Sequence, residues 1–258
     1  MRAVSVHRDA IVVTSLLWQT TATALRAGGE TMLIDSPYFP DELELLPTLL
    51  KESGFSPTAL VATHGDFDHV LGRLAFPELS LGVPDTTAER LQGHPGEAQR
   101  ELRAEDAGHY VQRPRPLSLG QVQSLPVPGK LEVGGAELEL HPAEGHTADG
   151  MAIFSPEHGV LICGDYLSPV EVPMISQGGS VTGYRETLIR LAGLLGRSET
   201  VVPGHGSPLT PEAARSILEE DVAYLGALER GDERAKLPKR RDTSAQRRIH
   251  AANVARVT

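Results

Sequence analysis

Thr63-His64-Gly65-Asp66-Phe67-Asp68-His69 follows directly on the apolar run Ala59-Leu60-Val61-Ala62. The run reads as a short buried strand, and open α/β sheets carry their chemistry at such strand ends. Two imidazoles and two carboxylates crowded behind it would repel and pay desolvation unless something cationic neutralised them. Neither helical periodicity nor strand alternation explains their spacing. A divalent cation does, because imidazole and carboxylate together suit zinc, iron or manganese.

Three further polar punctuations close later strands or loops: Gly145-His146-Thr147, Gly164-Asp165-Tyr166 and Pro203-Gly204-His205-Gly206. Each sets one potential ligand beside a glycine, which permits a tight backbone turn. Taken singly, such a His reads as a loop residue and such an Asp as a helix cap. Taken with the first cluster, they read as the remainder of a metal site.

Outward from the cluster, the chain alternates strands and helices. Ile11 to Trp18, Thr21 to Ala27 and Thr31 to Asp35 read as strands, with a turn at Gly28-Gly29. A helix starts at Pro40-Asp41-Glu42 and carries Leu43, Leu46, Leu49 and Leu50 on one face; Pro47 predicts a kink or a late start. Residues 84 to 112 are charged and helical, interrupted at Gly93, Pro95 and Gly96. Strands follow at Leu117 to Leu125, Lys130 to Val133, Ala136 to Leu140, Met151 to Phe154 and Val160 to Cys163. After them come a helix from about Tyr184 to Leu195, the strand Thr200 to Val202 and a helix capped by Thr210 with Pro211 at its first position. No interdomain linker or fixed-period repeat breaks this order before Gly231.

Composition narrows the function classes. The chain has 258 residues, 40% of them apolar, and a formal net charge of −10. Such a surface repels phosphate backbones, so nucleic-acid partners are not expected. A local exception runs from Arg234 to His250, where seven Lys and Arg meet the single acid Asp242. It reads as a solvated helix face, or else as a clamp for an anionic substrate or partner. Cys163, the only cysteine, excludes an intramolecular disulfide and sits in an apolar run as a small hydrophobe. No apolar run has membrane-spanning length and no signal peptide is evident, so a cytoplasmic protein without a membrane partner is expected.

The segment Thr63 to Gly72 resembles the T-H-x-H-x-D-H-x-x-G signature of the metallo-β-lactamase superfamily. The resemblance continues through His146, Asp165 and His205 in the family's order and covers roughly residues 10 to 215. It implies an α/β (α+β) four-layer αββα sandwich with two metals at one edge of the paired sheets. Residues 1-230 would form that domain, and 231-258 a basic helical extension of it. By position, His64, Asp66 and His146 would hold one metal, Asp68, His69 and His205 the second, and Asp165 would bridge them. Asp66 departs from the pattern, which has His there. A third aspartate cancels the formal charge of two divalent ions and a hydroxide, where the usual two would leave it positive, and it adds an oxygen donor. Two zinc ions are the first expectation, with iron or manganese, or a single metal beside a weak or empty first site, as the alternatives.

The implied chemistry is hydrolysis by a metal-activated hydroxide that Asp68 or Asp165 orients or deprotonates. No G-x-S-x-G elbow suggests a serine nucleophile instead. The irregular stretch Leu167 to Gly183 follows Asp165 and reads as a loop over the cleft. Phe67, Tyr38, Tyr166, Met174 and Tyr184 are candidates for the cleft wall, although each Tyr also reads as packing at the sandwich edge with a wet hydroxyl. This mixed apolar lining suggests a small ester, thioester or lactone. Two alternatives on the same fold are an iron-dependent oxidoreductase, of sulfur dioxygenase or di-iron type, and a phosphodiesterase or nuclease. Oligomeric state is not legible, but a homodimer is common among such relatives.

Overall fold

A computed structural model describes residues 1–232 and 235–257; Arg234 of the basic tail lies outside them. Two sheets carry the fold. The first has seven strands in sequence order: β1 (Arg2–His7), β2 (Ala10–Thr14), β3 (Thr21–Ala27), β4 (Glu30–Asp35), β5 (Ala59–Val61), β6 (Leu81–Pro84) and β7 (Val122–Leu125). Its first four strands pair antiparallel as a meander, and β4 to β7 run parallel. The second sheet has the order β12-β11-β10-β9-β8, built from β8 (Gly129–Val133), β9 (Ala136–Pro142), β10 (Met151–Ser155), β11 (Val160–Ile162) and β12 (Thr200–Val202).

Alternation along these strands makes three separate cores. In β2, Ala10 and Val12 face the second sheet, while Ile11 and Val13 face the outer helices. In β10, Met151 and Ile153 join the inter-sheet core, and Ala152 and Phe154 pack under helices on the other side. Side chains alternate across a strand, so a strand apolar on both faces must be covered on both. The outer layer over the first sheet comprises α1 (Pro40–Glu52), α2 (Gly72–Ala75), α3 (Asp85–Gly93) and α4 (Glu97–Gly108). The layer over the second comprises α5 (Val181–Leu195), α6 (Pro211–Glu229) and α7 (Ser244–Val257). The architecture is the expected four-layer αββα sandwich.

Several elements differ from the sequence reading. The charged N-terminus forms edge strand β1, where exposed positions on both faces tolerate polar residues. Leu81-Gly82-Val83-Pro84 is a strand before the charged helical stretch, and it is short enough to be masked by its helical neighbours. Of Leu117 to Leu125, only the last four residues pair. Pro47 neither stops nor delays α1, which runs through it. The entry to α1 is held instead by buried Glu42, whose carboxylate accepts from Ser15 Oγ (2.5 Å) and from the backbone N–H groups of Leu16 (3.0 Å) and Phe39 (3.1 Å). Thr210 caps α6 through Ala213 N–H, as its sequence predicts.

The tail is less solvated than its charge suggests. A 3-10 turn, Lys239–Arg241, puts the Arg241 guanidinium inside, where it pairs with buried Asp221 (2.5 Å) and with Glu220 (2.8 Å). It also donates to the carbonyls of Glu171 (2.8 Å) and Ser168 (3.4 Å). Arg241 is therefore spent on holding the tail to the loop after β11, whereas Lys236, Lys239, Arg240, Arg247 and Arg248 stay exposed. No helix among the described residues is long and apolar enough to cross a membrane.

Replacing Arg241 with Met strands Asp221 in a dry site, so urea melts should show a loss of about 3–5 kcal/mol. The double variant Arg241→Met/Asp221→Leu should recover most of that loss. A single variant as stable as wild type would show that this pair is not what fastens the tail.

Candidate metal centre

The ligand side chains reach one edge of the sandwich because the strands bearing them end there. His64, Asp66, Asp68 and His69 follow β5; His146 follows β9; Asp165 follows β11; His205 follows β12. All seven residues singled out in the sequence meet. Three sets of three have donor atoms close enough to share an ion: His64, Asp66 and His146; Asp68, His69 and His205; and His64, His69 and Asp165, which overlaps the other two. Asp165 stands between the first two. Its Oδ2 is 3.2 Å from His146 Nε2 and 3.8 Å from His64 Nε2, and its Oδ1 is 3.0 Å from His69 Nε2 and 3.2 Å from His205 Nε2.

The outer ring nitrogens explain why every Nε2 faces the centre. His146 Nδ1–H donates to the Met174 carbonyl (2.8 Å) and His205 Nδ1–H to the Trp18 carbonyl (3.2 Å). His69 Nδ1 lies 3.1 Å from Asp35 Oδ2. Thr63 Oγ1 donates to Asp35 Oδ2 (3.0 Å), which leaves it to accept from His64 Nδ1–H (3.1 Å). With each Nδ1 engaged, each Nε2 presents its lone pair inward, the arrangement by which outer partners orient metal-binding histidines.

Whether the residues fit a metal is answered by what they leave open. His64 Nε2, His69 Nε2 and Asp165 Oδ1 are buried and form no hydrogen bond, although they face one another across the same small space. Buried polar atoms without partners are rare and costly. A cation coordinated by these atoms removes the deficit for all three.

Glycines beside the ligands are steric necessities. A Cβ on Gly204 would lie 2.4 Å from Asp165 Oδ1, and one on Gly145 only 1.9 Å from the Tyr184 nitrogen. Trp18 and Asp35 adopt positive φ (50° and 59°) at the points where each meets a histidine. For non-glycine residues this is strained backbone maintained by the surrounding contacts.

Asp66 has a partner of its own. Arg90 Nη1 donates to Asp66 Oδ1 (2.7 Å) and to Asp149 Oδ1 (2.9 Å), while Asp66 Oδ2 turns to His146 Nε2 (3.2 Å) and His64 Nε2 (3.7 Å). Asp149 Oδ2 accepts from Gly65 N–H (2.9 Å) and Thr87 Oγ1 (2.6 Å), tying α3 to the ligand loop. Arg90, Asp149 and Asp35 were missed in the sequence. Asp35 ends an apolar strand and Asp149 lies three residues past His146, which are weak signals. Arg90 gives none, being one charge on a charged helix.

Of the wall candidates, Phe67 and Met174 line a cleft of about 660 Å³ beside Asp66, together with Arg90, Glu97, Glu101 and Gln177. The three tyrosines lie behind the site with their hydroxyls engaged, not wet. Tyr38 bonds Asp106 (2.8 Å), Tyr184 donates to the Asp165 carbonyl (3.0 Å), and Tyr166 accepts from His146 N–H (3.0 Å). Trp18, unremarked in the sequence, stacks edge-on against Phe67 and Tyr38. The stretch Leu167 to Ser180 is irregular, and its Met174, Ser176 and Gly178 border the cleft.

Without a bound cation, the carboxylates around the histidines would favour protonated imidazoles. Burial alone would lower the histidines, but Asp165 and Asp66 raise His146 to about 9, and Glu171 and Asp165 raise His205 to about 10. Burial alone would raise Asp66, but His146 and His64 hold it well below the usual carboxylate range.

An αββα sandwich whose sheet edge gathers His and Asp into clusters able to bind metal ions defines the class of protein. Residues 16–205 match the sequence profile of the metallo-β-lactamase superfamily, and the chain belongs to that superfamily, whose members are mostly metal-dependent hydrolases. Solved structures agree on the fold. The metallo-β-lactamase from Pontibacter korlensis is 18% identical, with a TM-score of 0.62 over 84% of this chain and 98% of that one. The stereoselective inverting sec-alkylsulfatase Pisa1 from a Pseudomonas species is 16% identical, with a TM-score of 0.77 over 99% of this chain, which spans 49% of its length. The protein TTHA1623, in a di-iron-bound form, is 25% identical, with a TM-score of 0.60 over 79% of this chain and 96% of that one.

Three measurements test the centre. A histidine raised on folding stabilises fully below its ordinary value of 6.5 and loses that stabilisation as pH climbs through its folded value. Metal-free protein should therefore lose melting temperature from about pH 6.5 to 10, and metal uptake at pH 7 should release protons, seen by calorimetry in two buffers. Heats independent of the buffer would contradict this. Separately, Asp66→His alone should weaken metal uptake at least about tenfold, because the new imidazole faces Arg90. Adding Arg90→Leu should restore it, and simple additivity of the two changes would speak against the coupling.

Proposed function

We propose that the protein is a binuclear metallo-hydrolase acting on a small, partly apolar ester, thioester or lactone. The observation that carries this reading is Asp165 between two three-residue ligand sets, with an unpartnered oxygen and two unpartnered imidazole nitrogens turned to one point. His64, Asp66 and His146 would hold one ion, Asp68, His69 and His205 the other, and Asp165 would touch both. When bound, such ions supply Lewis acidity and an acidified water at neutral pH.

The chain's own residues do the rest. Asp68 Oδ2, 3.5 Å from His205 Nε2, lies within the second set; Asp68 or Asp165 would orient the attacking water or take its proton. Ser36 Oγ fixes the Asp68 carbonyl (3.0 Å), and Tyr184 fixes that of Asp165 (3.0 Å), so both carboxylates are oriented before substrate arrives. Phe67 and Met174 offer apolar surface to the acyl part. Glu89, Glu97 and Glu101 along the same cleft disfavour a phosphate backbone, which argues against the nuclease alternative. Zinc is the first expectation for the metal. A homodimer and a cytoplasmic location belong to the same reading.

A second reading has one observation behind it. Asp66 adds an oxygen donor, which favours iron or manganese, and a di-iron relative of this fold exists at 25% identity. Oxygen uptake with a persulfide, measured beside hydrolysis of an ester, thioester and lactone panel, separates the two.

For the hydrolytic reading, Asp68→Ala should lower kcat by at least about a hundredfold with Asp68 as proton acceptor, and reduce the metal held per chain. A variant with full activity and full metal content would overturn this assignment.

A further inference from the structure

We propose that helix α7 sets the geometry of the His146 metal site, with Asn253 as the positioning residue. The proposal rests on His146 being a metal ligand. Between His146 and α7 runs one extended segment, Val172 to Ser176, which belongs to neither sheet. On its inner side the Met174 carbonyl accepts from His146 Nδ1–H (2.8 Å), and Ser176 N–H donates to the His146 carbonyl (2.7 Å). On its outer side Asn253 brackets Met174: its Nδ2 donates to the Pro173 carbonyl (2.6 Å) and its Oδ1 accepts from Ile175 N–H (2.9 Å). Gln246 repeats the device further back, its Oε1 accepting from Val172 N–H (2.8 Å).

The spacing suits both partners. Positions 246 and 253 are two helical turns apart, about 10.5 Å along the axis, and share a face. Residues 172 and 175 are three steps apart in extended chain, about 10 Å. One helix face thus holds the segment at residues 172, 173 and 175. Asn253 is fully buried and Gln246 nearly so, and Asn253 Nδ2 is itself held by the Tyr224 hydroxyl (3.0 Å). Without the two amides, the N–H groups of Val172 and Ile175 lose their acceptors in a dry interior, and the segment shifts to find others. The carbonyl of Met174 then no longer fixes the His146 ring, whose Nε2 direction is the quantity a metal reads.

The test is metal titration of the full chain, monitored by the visible spectrum with cobalt(II) and by metal content with zinc. Asn253→Leu keeps the branched shape and removes the amide. One of two metal equivalents should weaken about ten- to a hundredfold, with a changed cobalt spectrum, while the other stays at wild-type affinity. Asn253→Asp, which keeps the acceptor for Ile175, should fall between the two. Leu46→Ala, in the opposite helical layer, destabilises without touching the segment and should leave both equivalents unchanged. Should Asn253→Leu fail to fold, Gln246→Ala provides the same readout. Two equivalents at wild-type affinity in a folded amide variant would overturn the clamp while leaving the metal centre intact. Wild-type protein that takes up no metal would overturn the reading of the site and the clamp with it.

Discussion

Each of the four site histidines is tethered by Nδ1, and this constraint organises much of the rest. The tethers come from four different places: the end of β4 through Asp35, Thr63 two residues past β5, the loop bearing Trp18, and the segment bearing Met174. A tethered ring has one direction left for Nε2, and here all four directions converge. Two sheets have to end at the same edge for that to be possible, and each sheet then needs its own covering of helices. Carboxylates set among buried imidazoles make the converging point a place where a cation is stabilising and an empty space is costly.

Asp66 shows how a departure from a family pattern is absorbed. Exchanging an imidazole for a carboxylate adds a negative charge next to Asp165 and Asp149. Arg90 reaches over from α3, pairs with Asp66 and Asp149, and returns the local charge toward its former value. It also engages one carboxylate oxygen, so Asp66 presents a single oxygen to the centre. The residue at position 66 and the residue at position 90 are therefore best considered as one unit.

The sequence disclosed the centre more fully than its supports. His64, Asp68, His69, His146, Asp165 and His205 were legible because polar groups that interrupt apolar strands have few explanations. The layered fold was legible through the resemblance to the metallo-β-lactamase superfamily, with which the strand-helix order agrees; the structure adds that strands apolar on both faces, as in β2 and β10, are covered on both sides. Edge strand β1 and short β6 were not, since neither carries a pattern that separates it from its surroundings. The roles of Tyr166 and Tyr184 were misread because an aromatic near a ligand in sequence can stand before it or behind it, and only packing decides. Arg90, Asn253 and Gln246 act across 24, 78 and 74 residues respectively, and no local pattern marks such partners.

The double-sided burial of the strands leaves a problem of alignment. Where only one face is apolar, a one-residue slip exposes the core and is rejected at once. In β2 and β4 a slip would exchange one set of buried aliphatic residues for another, so hydrophobicity alone discriminates poorly. Polar contacts at the strand ends do discriminate. Asp35 at the end of β4 meets Thr63 and His69, and Thr21 at the start of β3 donates to the Pro203 carbonyl (2.7 Å) across the sandwich. Only one pairing of the strands satisfies them. The residues that prepare the metal centre thus also serve as the index marks by which the sheets find their register.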